Sequence, residues 1–365
     1  MSASKAPLLS PSDFSQTIHP LLAQYLDTRL AEISPIGKPV EAAVSYLQNF
    51  ILGGGKRIRP LYGWAGFVGA GGLAGPEDPQ AVLKAVSALE FIQACALIHD
   101  DIIDTSDTRR GNPTVHKAVE AQHKQAKWHG DSAHFGHSVA ILVGDLATVW
   151  ADDMLYDAGL SAAALHRLRE PWKALRSEVI GGQLLDITLE AHGSEEEALA
   201  NNVNRFKTAA YTIERPLHMG AAIAGASPAT IAAFRGYGRD IGIAFQLRDD
   251  LLGVFGDPEI TGKPAGDDLR DGKRTVLLSL ALKHADATDP VAAKALRTEI
   301  GVVQDPERIA QLSEIIVSTG AAAEVENRIT SLVESGLRHL QEAALEPEVV
   351  ELLERLAISS TQRRH

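Results

Sequence analysis

The run from Leu83 to Leu97 contains neither glycine nor proline and leads into His99-Asp100-Asp101-Ile102-Ile103-Asp104. Its apolar residues predict a helix. On that helix Asp100 and Asp104 sit one turn apart on one face. Like charges at this spacing repel by roughly 0.2–0.5 kcal/mol per pair. A partly buried face of this kind needs a cation, and carboxylate oxygens suit a hard one. Magnesium held by one or two carboxylates together with substrate phosphates fits best. A merely solvated acidic surface is the poorer reading. The preceding turns are apolar, and Arg109 and Arg110 follow at once.

The design returns far along the chain. Phe245-Gln246-Leu247-Arg248-Asp249-Asp250-Leu251-Leu252 also ends an apolar helical run with paired aspartates, and Gly253 stands where a third carboxylate would complete a DDxxD spacing. Two acidic helix ends could face each other across a cavity and share metal ions. The ligand suited to such a site is a polyanion, with a diphosphate as the obvious case.

These stretches resemble the two aspartate-rich motifs of the trans-prenyl diphosphate synthases. The likeness extends from Asp100 to His116 (DDIIDTSDTRRGNPTVH) and from Phe245 to Thr275 (FQLRDDLLGVFGDPEITGKPAGDDLRDGKRT). Gly53-Gly54-Gly55-Lys56-Arg57-Ile58-Arg59-Pro60 resembles the family's GGKRxRP, and Phe206-Lys207-Thr208 its central KT. One DDxxD alone would be weak; four motifs in order, over nearly the whole chain, are specific.

The resemblance implies an all-α fold: a single large helical domain, residues 1–365, around a deep central cavity. It also implies a homodimer and a magnesium cofactor. Asp100, Asp101, Asp104, Asp249 and Asp250 are the implied metal-binding carboxylates. Lys56, Arg59, Gln93 and Arg110 would hold isopentenyl diphosphate, with Arg57 as a lesser helper. Arg109, Lys207 and Lys263 would add positive charge at the allylic diphosphate, and Lys273 is a further diphosphate ligand. Lys207, Thr208 and Gln246 are the implied catalytic residues. Gly181 to Asp186 resembles a helix lining the hydrocarbon cavity.

Composition narrows the field. With 35 Lys and Arg against 47 Asp and Glu, the 365-residue chain carries a formal charge of −12, which disfavours a nucleic-acid partner. Cys95 is the only cysteine, so no intrachain disulfide can form, and a reducing, cytoplasmic location is expected. No apolar run reaches the ~18 residues of a bilayer-spanning helix. Residues 1–12 are expected to be disordered.

Helices are expected over Ile18 to Phe50, broken near Ser34 to Gly37, over Ser138 to Leu155, and in a segment carrying Lys207 and Thr208 that Pro216 should kink. Between Arg110 and Val139 the chain loosens into a polar loop with His116, His123, His129, His134 and His137. Without cysteines or a tight HxxxH pair, a lid over a site mouth is a better reading than a zinc site. No strand pattern stands out.

The expected reaction is head-to-tail condensation of isopentenyl diphosphate with an allylic diphosphate: ionisation, carbon–carbon bond formation and proton loss. Cys95 and Ala96 are small and lie just before the first aspartates. They are expected to leave a path open past farnesyl length, so geranylgeranyl diphosphate is the expected product. The alternatives are a longer-chain or farnesyl diphosphate synthase, a terpene cyclase, or a non-catalytic subunit. A cyclase would not need the Lys56/Arg59 clamp and usually carries many aromatics, which are only 5% here. A non-catalytic subunit should have a degraded first motif, whereas this one is intact.

Overall fold

Proline after a capping residue starts helix after helix in this chain. A proline at the first helical position loses no hydrogen bond, and the residue before it can accept from the free N–H groups of the first turn. Ser10-Pro11, Asp78-Pro79, Ser227-Pro228 and Asp289-Pro290 open helices in this way, while Asp305-Pro306 and Glu346-Pro347 do so with the proline but without a side-chain cap bond. Asp78 Oδ1 accepts from Gln80 N at 3.0 Å, and Ser227 Oγ from Thr230 N at 3.1 Å.

The structure is a computed structural model that describes residues 10–257, 265–343 and 345–362. The helices are α1 (Pro11–Ile33), α2 (Lys38–Leu52), α3 (Ile58–Gly69), α4 (Pro79–Ile103), α5 (Val115–Ala126), α6 (Ser132–Tyr156), α7 (Ala162–His192), α8 (Glu197–Val203), α9 (Arg215–Ala224), α10 (Pro228–Phe255), α11 (Asp267–Asp271), α12 (Val276–Thr288), α13 (Pro290–Glu299), α14 (Pro306–Ser318), α15 (Ala321–Gln341) and α16 (Pro347–Thr361). A π-helical segment, Asn204–Glu214, joins α8 to α9. The expected break after α1 is a short 3₁₀ turn, Ser34–Ile36.

The chain divides into two compact units. One holds residues up to Arg169 together with Met219–Ala226; the other holds Glu170–His218 and residues from Ser227 onward. In the first, α4 packs against α6 and α3, and α5 packs against α6. Its fully buried side chains include Phe14, Leu22, Trp64, Phe67 and Phe91. In the second, α10 packs against α15 and the π segment. Its core is built from Leu247, Leu277, Leu280, Leu296, Leu312, Ile316 and Val325.

Several expectations need correction. Pro11 and Ser12 are helical in α1 rather than disordered; residues 1–9 lie outside the described residues. A strand pair exists, although only two residues long on each side: β1 (Thr108–Arg109) and β2 (Asn112–Pro113). The expected loop after Arg110 contains α5, and His116, His123 and His137 are packing residues, whereas His129 and His134 are exposed. His123, Trp128 and Phe135 form a three-way ring cluster with centroids 5.1–5.8 Å apart. His123 Nε2 bonds the His129 carbonyl at 3.0 Å, and His116 stacks on His137. Aromatic packing on a helix face is what the polar composition of this stretch concealed.

The irregularity near Pro216 lies upstream of the proline. The π segment ends two residues before Pro216, whose ring cannot fit against a regular α-helical carbonyl four residues back. Helix α4 is long and apolar enough by composition to cross a membrane, but 72% of its apolar 18-residue window is buried. Lys84 and Glu90 interrupt its apolar run. Burial of this kind marks the core helix of a globular unit.

Candidate active site

In the first unit, the site begins with helix ends that oppose their own charge. Asp100, Asp101 and Asp104 occupy the last turn and cap of α4. The helix dipole is negative there and disfavours anions by about 0.3–1 kcal/mol each. Part of the compensation comes from Arg109. Its Nε and Nη2 both lie 2.8 Å from Asp101 Oδ1, and Nη2 is 3.7 Å from Asp100 Oδ2. Asp101 is only 1% exposed. Burial first, then Asp100 and Asp104, push its carboxyl above the usual range, against the pull of Arg109.

The arginines are delivered by a tight hairpin. Thr108 pairs with Pro113 and Arg109 with Asn112, leaving Arg110-Gly111 as a two-residue turn. Their φ values are 52° and 75°, the left-handed pair that a type I′ turn requires. Arg110, bearing a side chain, is strained there. Thr105 and Arg57 are also left-handed, with φ of 52° and 49°. Thr105 and Arg110, both just beyond the acidic helix end, are what a constrained ligand site looks like.

Arg110 reaches back to the glycine loop, where its Nη1 donates to the Gly54 carbonyl at 2.9 Å. Burial and the neighbouring Arg109, Arg57 and Arg59 charges lower its pKa from the ordinary guanidinium value, with Glu90 opposing. Cations gathered this closely favour an anionic ligand. Lys56 is exposed at the loop's end and Arg59 half-buried at the start of α3. Arg57 does not join them as a helper. It is buried, bound to the Glu90 carboxylate, and donates to the Ile51 carbonyl at 2.5 Å. Gln93 is half-buried on α4, one turn beyond Glu90.

In the second unit, Asp249 and Asp250 lie in the last two turns of α10, again at the negative end of a helix. Thr208 Oγ1 donates to Gln246 Oε1 at 2.6 Å, and Gln246 Nε2 donates to Asp250 Oδ1 at 2.8 Å. This relay orients Asp250, whose pKa burial raises well above the carboxylate range. Asp268 and Asp249 add to that rise, and hydrogen bonding from Gln246 and Asn204 opposes it. Lys207 lies on the π segment, a rare geometry that recurs at functional sites. Its Nζ is 2.6 Å from Asp186 Oδ2 on α7. One turn further along α7, Glu190 Oε1 holds Lys273 Nζ at 2.8 Å. Gly182 permits this approach, since a Cβ there would lie 2.4 Å from Lys207 N.

Asp186 and Glu190 were not singled out as site residues by their positions. The available signal was an acid at i and i+4 in an otherwise apolar stretch. Lys263 lies outside the described residues.

Among the described residues, no three His, Cys, Asp or Glu side chains already form a metal-binding group. The donors nevertheless fit a hard cation. Asp101 Oδ2 and Asp250 Oδ2 are buried and accept no hydrogen bond. Both belong to carboxylates whose like-charged neighbours oppose ionisation. A divalent ion offsets all of these penalties.

Comparison with known proteins agrees with this chemistry. The polyprenyl synthetase family model matches residues 40–317. The geranylfarnesyl diphosphate synthase of Aeropyrum pernix is 33% identical over 78% of this chain and 83% of its own length. A geranylgeranyl pyrophosphate synthase from Corynebacterium glutamicum, complexed with isoprenyl diphosphate and magnesium, is 60% identical with a TM-score of 0.94. That match covers 98% of this chain and all (100%) of the other. A polyprenyl synthase from Caulobacter crescentus CB15, complexed with calcium and isoprenyl diphosphate, is 25% identical with a TM-score of 0.76, and each chain covers 100% of the other. The family is metal-dependent, and the all-α isoprenoid synthase fold implied by the motifs is the fold of these neighbours. By its family match and by its relatives alike, the chain belongs to the polyprenyl synthetase family and is a trans-prenyl diphosphate synthase.

Proposed function

We propose that this chain condenses isopentenyl diphosphate with an allylic diphosphate to make geranylgeranyl diphosphate, with magnesium as cofactor. The observation that carries the reading is the cation cluster around Arg110, which ties the hairpin after the first aspartates to the glycine loop. A diphosphate supplies the negative charge such a cluster wants. Lys56, Arg59, Arg110 and Gln93 hold isopentenyl diphosphate. Asp100, Asp104, Asp249 and Asp250 hold the metal ions of the allylic diphosphate. Asp101 would join them through its unpaired Oδ2, while its Oδ1 orients Arg109.

Bound magnesium neutralises diphosphate charge and makes it a better leaving group. Arg109, Lys207 and Lys263 place positive charge where negative charge develops as the bond breaks. Asp186 holds the Lys207 ammonium in place. An allylic cation then meets the isopentenyl double bond in a pocket that excludes water. The new carbon–carbon bond leaves a cation that loses a proton to the departing diphosphate; no side-chain base is assigned.

The chain length is argued from Cys95 and Ala96, both small and half-buried on α4, and from the Corynebacterium enzyme at 60% identity. The name of the Aeropyrum enzyme makes a longer product the competing outcome. The family match runs through both units, which supports one catalytic domain.

A second copy of the chain is the proposed partner. Phe135, Leu142, Val149 and Tyr156 are exposed at seven-residue spacing along α6, a stripe suited to helix–helix association. Light scattering should give twice the chain mass of 39.0 kDa.

Product analysis of the purified chain with isopentenyl and farnesyl diphosphates plus magnesium tests the reading, and geranylgeranyl diphosphate is the expected product. A cyclic hydrocarbon or no turnover would overturn it. In the same assay, Lys56→Ala should raise the KM for isopentenyl diphosphate about tenfold, the scale of one charge-assisted hydrogen bond. The KM for the allylic substrate should change far less. Equal changes in both would contradict separate sites.

A further inference from the structure

Helix α5 begins at a threonine that does not cap it. Thr114 precedes Val115 with φ −63° and ψ 160°, yet its side chain accepts from no N–H of the first turn. A threonine at this position usually does, and the helix gains stability from it. Asp78, Asp131, Ser227, Thr275 and Asp289 all cap their helices in this chain. The Thr114 hydroxyl is turned back to the loop before it. Oγ1 donates to the Ser106 carbonyl at 2.9 Å, with the Asp107 carbonyl at 3.4 Å. The Thr114 backbone N donates to the Asp107 carbonyl at 3.1 Å.

The hydroxyl has a second partner. His116 Nδ1 lies 3.2 Å from Thr114 Oγ1. The single hydroxyl proton goes to the Ser106 carbonyl, so Nδ1 carries the ring hydrogen and donates. His116 is buried, stacks on His137, and its Nε2 meets no hydrogen-bond partner. On the other side, Ser106 N donates to the Asp101 carbonyl at 2.9 Å. One run of bonds thus joins the end of α4 to the start of α5 across the base of the hairpin. Both arginines rise from that base. Arg109 is held in addition by the Asp101 carboxylate. Arg110, in the strained turn, reaches across to the Gly54 carbonyl instead, so its place depends on how the base is fixed.

We propose that Thr114, supported by His116, is a positioning residue that fixes the base of the hairpin so that Arg110 meets isopentenyl diphosphate. The proposal rests on the assignment of Arg110 to that substrate above. The hydroxyl forgoes a helix cap and holds the loop instead. A buried side chain used in this way serves the geometry of the loop ahead of the stability of the helix.

The test is steady-state kinetics of the full chain with isopentenyl and farnesyl diphosphates, with circular dichroism to report folding. Thr114→Val should raise the KM for isopentenyl diphosphate about fivefold, within the range for losing one neutral hydrogen bond. The KM for farnesyl diphosphate and the kcat should change less than twofold. Thr114→Ser, which keeps the hydroxyl, should restore the isopentenyl KM to within twofold of wild type. In an Arg110→Ala background, Thr114→Val should add less than twofold, because a residue acting through Arg110 has nothing left to position. A folded Thr114→Val with the wild-type isopentenyl KM overturns the proposal. Equal changes for both substrates, or a full fivefold effect without Arg110, overturn it as well. If Thr114→Val does not fold, His116→Phe decides in its place: it keeps a ring against His137 and removes the N–H, and a wild-type isopentenyl KM would overturn the proposal. Arg110→Ala alone separates the two levels of the argument. If it leaves the isopentenyl KM unchanged, the assignment of Arg110 falls. If it raises that KM while Thr114→Val does not, only the role of Thr114 falls.

Discussion

Alanine at Asp100 or at Asp249 is expected to lower turnover by about 10²–10³-fold, the scale seen when one fixed electrostatic partner of a developing charge is removed. Each residue sits at the negative end of a long helix, α4 or α10. An acid there works against folding unless a cation offsets it. Each is also adjacent to a buried aspartate with an unsatisfied oxygen, Asp101 or Asp250. Acids kept in such places serve the ligand rather than stability. Removing one should therefore leave the protein folded, or slightly more stable, while turnover collapses.

Gln93→Ala is the useful contrast. Gln93 offers a neutral hydrogen bond worth about 0.5–1.5 kcal/mol, so its loss should cost about tenfold at most. Single-turnover kinetics at saturating magnesium, with the Tm of each variant, decide the comparison. Near-wild-type turnover by Asp249→Ala would show that the second motif holds no essential metal.

Ala96→Phe should shift the product from geranylgeranyl to farnesyl diphosphate. Ala96 is four residues before Asp100, so it lies on the same face of α4, about 6 Å further from the aspartates. A hydrocarbon growing away from the diphosphate runs along that face. Ala96 is half-buried, whereas Ile92 and Leu89 at successive turns below are buried. The phenyl ring would thus fill space that the wild-type side chain leaves open.

Cys95→Phe is the harsher change. Cys95 Sγ lies 3.7 Å from His99 Nδ1, and His99 Nε2 is bonded to the Ile141 carbonyl of α6 at 3.0 Å. A ring at position 95 would press on that contact and should lower the Tm as well. Chromatographic analysis of the products, alongside circular dichroism, distinguishes a blocked path from a damaged fold. A folded, active Ala96→Phe enzyme with the wild-type product would place the path elsewhere.

Local signals in this sequence are strong. The apolar run ahead of Asp100 predicts α4, because helical periodicity depends only on near neighbours. Motif order then identified the family through residues that keep fixed spacing: Lys56 and Arg59, Asp100 and Asp104, Lys207 and Thr208, Asp249 and Asp250. What failed locally had a tertiary cause. The stretch after Arg110 reads as a loop because the ring partners of His123, Trp128 and Phe135, declare themselves only once α5 folds against α6.

Only the tertiary structure decided what each charge does. Arg57, Arg59 and Arg110 are alike in the sequence, yet Arg57 is committed to Glu90 while Arg110 bridges to the glycine loop. Asp101 looks like its neighbours but is turned to Arg109. Lys207 and Lys273 meet acids one turn apart on α7, more than 20 residues before the first of them. The Asp268 side chain lies against Gly253, a contact between two segments that the sequence does not link. Helical periodicity places side chains one turn apart on a face, but an ion pair forms between faces that packing brings together, and no spacing within one segment encodes that contact.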